Sequence, residues 1–154
     1  MHARILKLIA LPLVAGAVAL TIFASGANAH TETRGAYAAL LSGGTEVPGP
    51  GDPDGFGYSL VTLDAERGEV CAAIFAAHIG TATAAHIHRG PVGGEGPVVV
   101  PFTALPTEES PIVSSCTTDV ERDLIERILA NPGNYYVNVH NAEFAKGAIR
   151  GQLQ

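Results

Sequence analysis

The chain has 154 residues, with 15 Asp and Glu against 9 Lys and Arg and a formal net charge of −6. An acidic chain without a basic patch counts against nucleic acid or an anionic membrane as partner, because both are held through clustered cations. The length allows one domain with a modest core.

Residues 1–29 have the layout of a secretory signal peptide. Arg4 and Lys7 supply the basic start, an apolar run follows to Phe23, and Ala27-Asn28-Ala29 gives the small residues of a cleavage site. A retained membrane anchor is the competing reading. Its uncharged stretch, Leu8 to Ala24, contains Pro12 and Gly16 and is short for a span. Cleavage after Ala29 leaves residues 30–154 with 7 basic and 15 acidic residues, a balance of −8, and no membrane span.

The remaining chain reads mostly as strands. Residues 30–36 are polar and predict a flexible leader, so the domain proper is 37–154. Alternation predicts strands at Ala36–Ser42, Phe56–Leu63 and Glu69–Ile79, the last two forming a hairpin. Pro48–Gly55 (PGPGDPDG) is a loop. Ala82–His88 and Pro97–Thr103 flank a second Gly/Pro-rich loop. Thr118–Ala130 predicts one short helix, with Val120, Leu124, Ile125, Ile128 and Leu129 on one stripe, Thr118 and Glu121 spaced as a capping box, and Asn131-Pro132-Gly133 as its stop. Strands Asn134–His140 and Ala148–Leu153 end the chain. Together these imply an antiparallel, Greek-key-like β-sandwich of about seven strands with one helix near 118–130.

Cys71 and Cys116 are the only cysteines. In an exported chain the two thiols are expected to pair, whereas a thiolate metal site lacks any C-x-x-C spacing. Three histidines carry the chemistry. His86 and His88 form H-x-H on a strand, so both imidazoles leave the same face, about 6–7 Å apart at Cα. His140 ends a strand whose apolar set, Tyr135, Val137 and Val139, faces the core. It is therefore expected on the outer face, and if the two strands are neighbours, three imidazoles meet there. Three nitrogen donors with open positions suit copper or zinc. The competing reading makes them solvent-facing structural histidines without a ligand. His78 falls in register with Ala72, Ile74 and Ala76 as a core or capping residue. His30, as a new N-terminus, would add an amine–imidazole chelate for copper, or sit in a tail without function. No G-x-S-x-G elbow, paired catalytic acids or calcium-loop spacing is present.

Leu41–Pro48 (LSGGTEVP), Ala84–Pro91 (AAHIHRGP), Gly96–Pro101 (GPVVVP), Tyr136–His140 (YVNVH) and Gly147–Leu153 (GAIRGQL) resemble the CHRD domain, a family named for chordin and found in many bacterial exported proteins. The resemblance runs from about Tyr37 to Gln154. It implies a β-rich extracellular module, secreted, periplasmic or held in the cell envelope, whose biochemical role is mostly unassigned and which in chordin belongs to a growth-factor-binding protein. Family members often carry an acidic residue where this chain has Ala148, which removes a carboxylate partner for Arg150. A looser likeness exists to copper/zinc superoxide dismutases, which also combine H-x-H, a third histidine and a nearby arginine, here His86, His88, His140 and Arg150. This chain lacks their long zinc loop. The leading expectation is a non-enzymatic exported protein with a copper or zinc site. The alternatives are a module binding an extracellular or envelope protein, and a copper-dependent redox enzyme.

Overall fold

The computed structural model describes residues 32–154; the signal-peptide reading of 1–29 and the His30 chelate lie outside them. Eight strands form one antiparallel sheet: β1 (Arg34–Ser42), β2 (Phe56–Asp64), β3 (Glu69–Ala77), β4 (Ala82–Arg89), β5 (Val98–Phe102), β6 (Ile112–Thr117), β7 (Tyr135–Asn141) and β8 (Ile149–Gln152). Their order in the sheet is β5-β4-β7-β8-β1-β2-β3-β6. The sheet curls into a near-barrel until the two end strands meet, where the Thr117 hydroxyl donates to the Pro101 carbonyl. Among the described residues no helix is long and apolar enough to cross a membrane.

Alternation decides which side chains fill the interior. Val61, Ile74, Ala85, Ile87, Val100, Val137, Val139 and Ile149 are all within 1% of full burial, and each sits between neighbours that point outward. One end of the barrel is plugged by α1 (Arg122–Ala130), whose Ile125, Ile128 and Leu129 are buried.

Four local expectations are corrected. The strands number eight, because Ile112–Thr117 pairs along β3, including Cys71 opposite Cys116. β1 begins at Arg34, opposite Asp64, so the last three residues of the expected leader are ordered by cross-strand pairing. The helix starts four residues later than its stripe suggests. Val120 N–H donates to Gly68 O instead, Asp119 takes a left-handed φ of 58°, and Glu121, at the N-cap, makes no side-chain capping bond. β3 stops at Ala77, because His78 also has a positive φ of 61° and leaves the ladder.

Candidate metal centre

Register places the histidines. In the β4–β7 ladder Ala84 faces His140, His86 faces Asn138 and His88 faces Tyr136; in β7–β8, Asn138 faces Arg150 and Tyr136 faces Gln152. Residues directly opposed across a ladder share a face. The outward face of this half of the sheet therefore carries His86, His88, His140, Tyr136, Asn138 and Arg150 together. Ring centroids lie 5.5 Å apart for His86–His88, 5.2 Å for His86–His140 and 6.2 Å for His88–His140. One nitrogen from each imidazole lies within 4.8 Å of those from the other two.

The expected open, solvent-facing surface is corrected: the three imidazoles are half-buried, and Tyr136, Asn138 and Arg150 are at most 4% exposed. Loops fold over the outer face and bond to it. Gly96 O and Ala145 O contact the Nδ1 atoms of His88 and His140 at 2.9 and 3.2 Å. Arg150 Nη2 donates to Pro91 O at 2.9 Å, and Gln152 Nε2 to Gly90 O at 2.7 Å.

Those two imidazole contacts fix the tautomers. A carbonyl only accepts, so Nδ1 of His88 and of His140 carries the proton, and Nε2 of each keeps its lone pair. Both Nε2 atoms are buried without a partner, and so is His86 Nδ1. Each histidine thus holds one buried nitrogen without a protein partner. Burial also keeps the rings neutral. His86 is lowered to about 4, by desolvation first and by the charges of His140 and His88 after it. Desolvation lowers His88, helped by Arg150 and opposed by the Gly96 bond. It lowers His140 as well, against the Ala145 bond. The donor set is three unprotonated imidazoles, two of them oriented by backbone carbonyls, the arrangement that metal-ligating histidines adopt. Metal–nitrogen bonds of about 2.0–2.1 Å would bring the nitrogens to about 3.4 Å from one another, a closure within reach of small side-chain rotations.

Beside the histidines lies a buried polar layer. Tyr136 stacks on His88 with centroids 4.8 Å apart and 8° between planes, and the Arg150 guanidinium carbon sits 3.4 Å from the centre of the Tyr136 ring. Arg150 therefore meets the cluster through Tyr136, and its Nη1 has no partner. Glu46 was not singled out in the sequence. It is 7% exposed and accepts from Asn138 Nδ2, which also donates to Ile149 O at 3.3 Å. Burial pushes the Glu46 carboxyl up to about 7, with Arg150 and the bonds from Val47 and Asn138 pulling the other way. Glu46 carried no motif of its own; in the sequence it was one of three acids, with Asp52 and Asp54, in the Gly/Pro-rich segment between β1 and β2.

The other candidates are apart from the cluster. His78 is exposed, 3.7 Å from Asp54 and not in the core. Cys71 and Cys116 form the expected disulfide, and no cysteine is free among the described residues. Glu69 approaches both sulfurs, but sulfurs bonded to each other are not thiolate ligands.

No significant match was found among curated proteins or among solved structures. The family model described as CHRD domain matches residues 37–153, which cover all of the barrel but the first three residues of β1 and include all three histidines; the chain belongs to the CHRD domain family.

Proposed function

We propose that this is an exported CHRD-domain protein that holds one copper or zinc ion on His86, His88 and His140 without turning over a substrate. One observation carries the reading. Each of three clustered imidazoles has a single buried nitrogen with no protein hydrogen-bond partner; in His88 and His140 that nitrogen is the lone-pair acceptor, and a buried acceptor left unpaired costs about 1–3 kcal/mol that a cation would recover. Neutral imidazoles suit late first-row ions, and Cu(II) should outcompete Zn(II). The Cys71–Cys116 disulfide supports an oxidising compartment, as does the signal-peptide pattern of residues 1–29. A non-catalytic role is supported by Arg150. A guanidinium 2% exposed, stacked on Tyr136 and bonded to Pro91 O, cannot draw anionic substrates from solution.

Calorimetry with competing chelators on the exported protein tests this. One Cu(II) per chain is expected, bound more tightly than Zn(II). Alanine at His86, His88 or His140 should each cost more than the roughly 10–100-fold that losing an outer-shell partner costs, with unchanged circular dichroism. His78→Ala should bind as wild type. Equal, weak copper uptake by wild type and His86→Ala would remove the proposal, and superoxide turnover by the copper-loaded protein would replace it with the redox-enzyme reading.

A further inference from the structure

The other half of the sheet has the opposite character. On the outward face of β1, β2, β3 and β6 the side chains between the end rows are apolar or small and uncharged. A charged row closes one end, where Arg34 opposes Asp64 and Asp64 opposes Glu69. Between that row and the far end, the outward positions of all four strands carry no Asp, Glu, Lys or Arg. Five of the seven large apolar side chains exposed among the described residues lie here: Leu40 at 73%, Ile112 at 64%, Tyr58 at 49%, Leu60 at 48% and Phe56 at 47%. Scattered exposed apolar residues are ordinary on a monomer, but a contiguous face marks an interface.

The face is also ordered into rows. Leu40, Tyr58, Phe75 and Ile112 are directly opposed across the four strands, and they form a ridge in which Tyr58 and Phe75 stack at 5.4 Å. The next row is Ala38, Leu60, Ala73 and Ser114, and the one after it is Ala36, Thr62 and the disulfide. A line of large side chains therefore runs beside two rows in which Leu60 is the one large side chain.

We infer that this face is the contact between two copies of the chain, packed sheet on sheet about a two-fold axis. Three arguments select a second copy over other occupants. A two-fold axis requires a self-complementary patch, and it would set the ridge of each copy against those two rows of the other. The net charge of −8 over residues 30–154 makes copies repel wherever acidic surface meets, so a charge-free face is where they can approach. Four strands about 4.8 Å apart and four rows about 6.8 Å apart give roughly 500 Å² in projection. Side-chain relief raises this toward the about 800 Å² per partner of a standard interface. The histidine cluster lies on the half formed by β4 and β7, so pairing does not use it.

Sedimentation equilibrium of the exported protein tests the inference. Wild type should show twice the chain mass, with or without a chelator, and Leu40→Lys combined with Ile112→Lys should sediment as a monomer with unchanged circular dichroism and melting. Val92→Lys, at a position 80% exposed outside the face, should remain dimeric, and so should His86→Ala. A wild type that stays monomeric at every soluble concentration overturns the proposal; co-pelleting of that monomer with a neutral polysaccharide or with zwitterionic vesicles would name the occupant instead. A dimer that survives the double lysine variant, or dissociates on Val92→Lys, overturns it too.

Discussion

His88 and His140 give the centre its chemistry through what their distal nitrogens are not doing. With Nδ1 of each on a backbone carbonyl, neither ring can turn its free nitrogen to solvent without breaking a bond. Burial sets the proton competition. Ordinary histidines titrate near 6.5 and would release a metal below about pH 6. Here His86 is lowered to about 4, and His88 and His140 are lowered as well, so protons compete only in more acid solution. The copper-loaded protein should keep its ion through pH 6 and release it nearer pH 5 or below, followed by calorimetry or by the ligand-field spectrum. Release at pH 6 or above would show that the imidazoles titrate like exposed ones. Glu46 supplies a second, opposite dependence. Its folded-state value is raised to about 7 from a reference of 4.5, so its contribution is fully present below about 4.5 and fades as pH rises through 7. Glu46→Gln keeps an acceptor for Asn138 and removes the ionisation. In metal-free protein the variant should be more stable than wild type at pH 8 and lose its advantage toward pH 4.5, measured by urea unfolding across that range. The neighbourhood constrains this residue tightly. A Cβ on Gly147, which has φ of 144°, would collide with the Glu46 carboxylate.

Among the elements, those with strong period-2 contrast were legible in the sequence. β3 alternates buried Val70, Ala72, Ile74 and Ala76 with half-exposed partners, and the same rule put His86 and His88 on one face. β6 was not legible. Ile112, Ser114 and Cys116 point one way and Val113, Ser115 and Thr117 the other, so each face mixes apolar with polar and the alternation carries no contrast. Only its ladder with β3 makes it a strand. The helix start misled for a related reason: Thr118 and Glu121 have capping spacing, but tertiary pairing of Val120 with Gly68 holds the chain out of helical conformation there. Thr118→Ala should consequently change stability by less than about 0.5 kcal/mol, where a working cap would cost about 1. Chemical denaturation of the variant decides between them. For the site, the H-x-H geometry followed from local rules. The β4–β7 adjacency and the reach of Glu46 to Asn138, 92 residues away, depend on how the sheet closes, which no local pattern encodes.

At the scale of the molecule, the barrel has two unlike outer halves, one roofed by loops over a polar layer and one bare and apolar. The disulfide belongs to the bare half, where it ties β6 to its ladder partner β3 and closes a sequence separation of 45 residues. Chain-entropy arguments give such a loop about 4 kcal/mol. Replacing both Cys71 and Cys116 by serine should lower the unfolding free energy by up to that amount, read from urea midpoints at constant m-value, while β-sheet circular dichroism persists. A loss well under 1 kcal/mol would mean that the unfolded chain is already compact across this segment.

The seam where the end strands meet has a consequence for how copies of the protein can associate. A sheet with a bare apolar face would ordinarily be at risk of growing sideways, strand upon strand, into fibres. Here the two end strands are tied to each other at the seam, and β5 is itself a poor template. β5 contains Pro101, which has no amide hydrogen to offer an incoming strand. Its carbonyl is already taken by Thr117 of β6. Association is thereby steered from edge to face, and a face contact stops at two copies, whereas an edge contact has no natural end.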